Sequence, residues 1–302
     1  MRRPPGEKRF HEGPLVVFTA LTVAGGGVGW AFLFRGLLGG GARGPGTWEA
    51  PWLLPPTAAL LMAGLLAVGM AVSLLHLGRP ARGLLAVGKT GSSPLSNEVV
   101  LVGAAGLLAL VRGLAPLGEW PALVLSILIG AISFLLLLAL GRVYRLPGQE
   151  AWRGPALLQP LVLGTLWGGL ALGFLARAPG FPVAGPPGEP AVGLAPVVLL
   201  ALLLVDGGLL GLRIRGLEAT VREAEPAHPR IFRARGPWLA VRLVFVPLLP
   251  LISVSLDPAG GSLPLASLSV GILLDRWLFY GLALRRTTEA EVDRVDALLL
   301  GG

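Results

Sequence analysis

The feature that most constrains this chain is the recurrence, eight times, of an apolar stretch about as long as a bilayer-crossing helix. The stretches lie near 14–37, 54–77, 97–117, 121–142, 156–177, 191–212, 237–256 and 263–284. A helix rises about 1.5 Å per residue, so roughly 20 apolar residues cover the ~30 Å of hydrocarbon. In lipid every backbone polar group must be bonded internally, which leaves helices or closed barrels, and unbroken apolar runs of this length select the helix. The expectation is an all-α, polytopic membrane protein: one integral membrane domain over 1–302, with eight transmembrane helices in a bundle. Composition agrees. Charged residues make up 14% of the chain, against about 25% in a soluble domain, and the mean hydropathy is +0.74.

Local signals refine the spans. Pro14, Pro55, Pro56, Pro121, Pro155, Pro190 and Pro237 stand near their starts, where a missing N–H costs little. Gly25 and Gly29, Gly164 and Gly168, and Gly207 and Gly211 have the four-residue spacing of close helix contacts. The basic residues are lopsided. Of 25 Lys and Arg, 19 lie in the N-terminus, the connections after spans two, four and six, and the C-terminal tail, and four lie on the opposing side. Arg242 and Arg276 fall within spans. An even span count puts both termini on one face, and the positive-inside rule makes it cytoplasmic. The sequence pI of about 11.2 then reflects residues flanking a membrane and its anionic lipid. No basic patch sits on a soluble fold, so no nucleic-acid partner is expected. The polar connection near 213–236 is expected to form a surface helix around Arg215–Glu225, and the tail Thr288–Leu300 a short amphipathic one.

The scarce residue types exclude chemistry. With no Cys the chain holds neither a thiolate-ligated iron–sulfur cluster nor a disulfide. Of the three His, only His76 lies near a span, so a bis-His haem is excluded and no metal ligands are expected. If electrons pass through this protein, their metal centres are in a partner.

Charge inside a span costs about 2.5–3.5 kcal/mol per group on insertion scales, so its placement is informative. His76 ends span two, followed by Arg79 and Arg82; Glu98 opens span three; Arg142 and Tyr144 close span four; Asp206, Arg242, Asp275 and Arg276 lie in spans six to eight. Alternating helix direction puts all of them in the half of the membrane next to the Arg-rich face. The other half holds Arg112, near enough to its helix end to snorkel. Each has a plainer reading: His76 as a helix-end residue, Arg79, Arg82 and Arg142 as positive-inside charges, Asp206 and Arg242 as a structural ion pair at matching depth. Asp275 and Arg276 diverge by about 100° on a helix, so at least one needs a partner elsewhere. Together the groups suit a ligand with an apolar tail and a protonatable head, which describes a quinone.

The segment His76-Leu77-Gly78-Arg79-Pro80-Ala81-Arg82, followed by Leu95-Ser96-Asn97-Glu98, resembles the signature of the dimethyl sulfoxide reductase membrane anchor subunit family. Gly141-Arg142-Val143-Tyr144-Arg145-Leu146-Pro147 with Ala151-Trp152 is similar to the stretch after that family's fourth span, and Asp275-Arg276-Trp277-Leu278-Phe279-Tyr280 to its last. The resemblance implies an inner-membrane anchor without haem or cluster of its own. Its partners would be a four-cluster iron–sulfur subunit and a molybdopterin catalytic subunit, and it would oxidise menaquinol. The family's quinol-linked His, Arg and Glu fall on His76, Arg82 and Glu98. His76 and Glu98 are then the expected proton acceptors, His76 having an unperturbed pKa of about 6.5, with Arg79, Arg82, Arg142 and Tyr144 as quinol-binding residues. Two rivals remain: an ion- or proton-coupled transporter using the same charges, and a polysulfide-reductase-type anchor. The eight-span reading predicts that tags at the two termini are modified from the same side of sealed vesicles; opposite-side labelling would require an odd number of crossings.

Overall fold

The computed structural model describes residues 13–38, 53–76, 88, 91, 93–143, 158–176, 196–223, 237–256 and 262–281. No strand occurs among these residues, and nearly all of them are helical. In chain order the helices are α1 (Gly13–Leu38), α2 (Pro56–His76), α3 (Pro94–Leu114), α4 (Glu119–Val143), α5 (Gln159–Leu175), α6 (Pro196–Glu223), α7 (237–256) and α8 (Ser262–Gly281). Among the described residues, six of them (α1 to α4, α7 and α8) are long and apolar enough to cross a membrane. The expected fifth and sixth spans differ for physical reasons. α5 is largely apolar but has 17 residues, at the short limit for a crossing. α6 has 28 residues and carries Asp206, Arg213 and Arg215. It also runs eleven residues past the expected end at 212, so the surface helix anticipated around Arg215–Glu225 is its continuation. The amphipathic tail expected at Thr288–Leu300 lies outside the described residues.

α1 is the central rod. It packs most extensively on α5 and α2, then on α4 and α8, and 78% of its apolar stretch is buried against 28% for α3 and α7. α3 closes the first half by packing on α2 and α4; α8 packs on α1, α5 and α7. Bonds to serine tie these elements together. Ser126 Oγ of α4 accepts the Leu54 N–H just ahead of α2 at 3.0 Å. The Trp167 indole N–H of α5 donates to Ser269 Oγ of α8 at 2.8 Å.

Close approach at the α1–α5 crossing depends on glycine. A Cβ at Gly27 would collide with the Gly164 backbone, and one at Gly168 with the Gly27 carbonyl. Backbone meets backbone there, so no side chain can yield. The anticipated Gly164 and Gly168 pair thus sits at this crossing. Gly25 faces Leu66 of α2, and Gly29 faces Ser133 of α4 and Met62 of α2. Gly207 and Gly211 have nothing within 4 Å of an added Cβ among the described residues, so that spacing marks no contact between the described helices. α7 contains a π-helical turn, Val244–Leu248, with Pro247 inside it. Proline supplies no N–H to the preceding turn and crowds its carbonyl, and a widened turn relieves the clash. Gly271 of α8 packs against this turn, its added Cβ falling 3.2 Å from the Phe245 carbonyl.

Gly168→Leu is expected to cost at least the roughly 1–3 kcal/mol of an overpacked contact, because the obstacle is backbone. Gly207→Ala should be neutral or slightly stabilising. The thermal midpoints of the detergent-solubilised variants test this ranking.

Candidate functional site

Two polar groupings sit inside the bundle, and they differ in how their charges are satisfied. The first lies at the start of α3. Ser93 has extended backbone (φ −117°, ψ 123°) and its Oγ accepts the Ser96 N–H at 3.5 Å, with Pro94 at the first helical position. Both are N-terminal helix signals, and they start the helix three residues before the expected 97. Glu98 therefore lies inside the helix, on a buried stripe with Val102, Ala105, Ala109 and Arg112. Glu98 is 0% exposed, and neither carboxyl oxygen has a hydrogen-bond partner among the described residues. Arg112, expected to snorkel, is largely covered at the far end of the stripe, with Nε unpartnered among the described residues.

Asn97, one residue before Glu98, faces about 100° away. Its Oδ1 accepts the Gly91 N–H at 2.7 Å, and Gly91 has φ +88°, a backbone conformation that favours glycine. The turn before α3 is thereby latched to the helix. Asn97 also lines a crevice of about 410 Å³ between α3 and α4. Leu101, Leu135 and Leu138 supply apolar walls, and Arg142, in the last turn of α4, lines it as the second polar group.

The structure places Glu98 and Arg142 at the same end of the α3–α4 pair. His76 is the last residue of α2, hence at that end as well by chain direction. Arg79, Arg82 and Tyr144 lie outside the described residues.

The second grouping joins α5, α6, α7 and α8. Arg242 forks onto Asp206, Nη1 to Oδ2 at 2.9 Å and Nη2 to Oδ1 at 2.8 Å. Its Nε donates to Asp275 Oδ1 at 2.8 Å. The same oxygen accepts Gln159 Nε2 at 2.8 Å, while Asp275 Oδ2 accepts Arg276 Nε at 3.1 Å and Nη2 at 2.5 Å. Arg213 Nη1 reaches Gln159 Oε1 at 3.4 Å and stands 3.9 Å from Asp275 Oδ1. Its guanidinium lies over the Phe279 ring, 4.9 Å from the centroid, and that of Arg276 at 5.2 Å. Asp206, Arg242 and Asp275 are 0% exposed.

The expected Asp206–Arg242 ion pair is therefore present, and Asp275 finds partners on α5 and α7. Arg213 and Gln159 join it without a sequence expectation behind them. Composition groups Arg213 with the polar connection, although it lies seven residues after Asp206 with buried Leu210 between them, the spacing of one helix face. Gln159 is uncharged and carries no comparable signal. No three His, Cys, Asp or Glu among the described residues are grouped so as to hold a metal ion.

Comparison with known proteins identifies relatives of the whole chain. A family profile described as DMSO reductase anchor subunit (DmsC) matches residues 7–282. The chain is 30% identical over 291 residues to the C subunit of the anaerobic dimethyl sulfoxide reductase of Escherichia coli (strain K12), covering 90% of this protein and 95% of that one. No solved structure matches.

Asp275→Asn removes the carboxylate that Arg242 and Arg276 share, so it should cost the roughly 3–5 kcal/mol of a broken buried pair. Arg213→Gln, whose guanidinium hydrogen-bonds no carboxylate among the described residues, should cost about 1 kcal/mol. Thermal unfolding in detergent that ranked the two the other way would contradict the geometry.

Proposed function

The chain belongs to the DMSO reductase anchor subunit family, and from that membership together with the buried Glu98 carboxyl we propose that it binds menaquinol and oxidises it. Membership makes it a multi-pass protein of the inner membrane and an anchor within an oxidoreductase complex of anaerobic respiration. Beyond that, the reading is this. Menaquinol loses two electrons and two protons to become menaquinone. The electrons leave for an iron–sulfur subunit docked on this chain, and a molybdopterin subunit carries out the terminal reduction. This chain, with no Cys, handles the protons.

The carrying observation is Glu98. A carboxyl fully buried without a hydrogen bond is costly, and Asp206 and Asp275 meet that cost by pairing. Glu98 finds no such partner among the described residues. A group held in that condition in the second turn of α3, one residue along from Asn97 of the crevice wall, suits a proton acceptor that acts when a substrate O–H arrives. His76, at the adjoining end of α2, is the second acceptor. Arg142 lines the crevice and, with Arg79, Arg82 and Tyr144, would hold the ring oxygens. Leucine walls suit the head and the start of an isoprenoid tail. A transport path through Asp206, Arg242 and Asp275 has less support, because those groups are bonded to one another across three helices.

Glu98→Gln and His76→Ala should each lower menaquinol-driven turnover of the assembled complex by roughly the 10²–10⁴-fold typical of lost acid–base catalysis. Turnover driven by a reduced viologen dye, which donates directly to the partner subunits, should be unchanged. Retention of menaquinol-driven turnover in both variants would overturn the reading.

A further inference from the structure

Asn97 belongs to no expected set of site residues, yet its environment assigns it a direction. A backbone N–H can only donate, so the 2.7 Å bond from Gly91 fixes the Asn97 oxygen toward the turn. The amide Nδ2 therefore points away from Gly91, on a side chain that lines the α3–α4 crevice. It has no hydrogen-bond partner among the described residues. The other polar group lining the crevice is Arg142, which also only donates. The remaining lining is apolar. A crevice with donors and no acceptor side chain selects an oxygen that accepts. The acceptor carboxyl, Glu98, is the next residue on the helix and faces the bundle interior.

We infer that the crevice between α3 and α4 is the seat of the quinol ring, and that Asn97 is a binding residue whose Nδ2 donates to the ring oxygen from which the proton has left. The inference rests on the quinol reading above and adds a place and a residue to it. A quinol oxygen is a hydroxyl at the start of the reaction and a carbonyl at the end. As its proton leaves for the protein and its electrons for the iron–sulfur partner, negative charge builds on that oxygen before the carbonyl is complete. Donors aimed at it bind the oxygen more strongly as the charge grows than they bind the hydroxyl, which is the condition for accelerating the step. Asn97 is held for this by the latch to Gly91, whose φ of +88° places the turn's N–H against it. The tail leaves along the leucine walls between α3 and α4, so substrate reaches the ring site from within the bilayer.

The test uses the complete complex in phospholipid vesicles, with long-chain menaquinol and with menadiol, its tailless analogue. Asn97→Asp keeps an oxygen to accept the Gly91 N–H and removes the donor. It should lower kcat by about 10-fold or more with both substrates while leaving the thermal midpoint near that of the parent. Asn97→Ala, which also loses the latch, should lower both kcat and the midpoint. Leu138→Trp fills the crevice and should raise KM for long-chain menaquinol about 10-fold, with a smaller rise for menadiol. Dye-driven turnover should be unchanged in all three. Parental kcat in Asn97→Asp, or parental KM in Leu138→Trp, overturns the assignment of ring site and donor. If Glu98→Gln still abolishes menaquinol-driven turnover in that case, the function stands and its site lies elsewhere. If Glu98→Gln is also active, the function falls with it.

Discussion

An ion surrounded by hydrocarbon must be paired, and that requirement sorts the polar residues of this protein. The buried charges of α6, α7 and α8 meet it by gathering around one carboxylate. Asp275 accepts from Arg242 and Arg276 and lies 3.9 Å from Arg213, while Gln159 of α5 fills its remaining room. Four helices are thereby held at one point in the bundle. Replacing such a network by apolar packing often costs little, whereas breaking it by removing one partner costs much. Its worth therefore lies in fixing which helices meet and at what level. The proline-widened turn of α7 lies next to this point: Arg242 sits two residues before it, and Gly271, four residues before Asp275, packs against it.

The lipid-phase architecture is legible in the sequence because hydrocarbon leaves little choice. Apolar length finds each helix among the described residues to within a few residues at its start, and the Ser93–Pro94 signal explains why α3 starts before its apolar run does. Sequence misleads where a charged residue is assigned to water on composition alone. Arg213 and Arg215 read as part of a connection, yet α6 continues through both, and Arg213 turns inward beside Asp275. The same holds for glycine. Spacing identifies Gly164 and Gly168 but misses Gly27, the residue they meet, because a crossing is a property of two helices and spacing is a property of one. Of the candidate site, sequence supplies Glu98 and Arg142. It cannot supply the orientation of Asn97, which depends on a turn and a positive φ.

The relation between the halves gives the glycine crossing a consequence beyond packing. On the proposed reading, Glu98 serves a quinol only while its carboxyl is available to take a proton, and a guanidinium with donors to spare and no ring oxygen to hold would occupy it. Such guanidiniums exist in this protein: the cluster holds three arginines against two aspartates, and Arg213 has an Nε unpartnered among the described residues. The bundle keeps them apart with α1 and α5. α3 packs on α2 and α4, while Arg213 packs on the α5–α8 side. A backbone-to-backbone crossing at Gly27, Gly164 and Gly168 makes that partition rigid, since no rotamer change can open or close it. Two carboxylate chemistries, one saturated with donors and one without any among the described residues, can then occupy one bundle. A single mixed cluster would neutralise both.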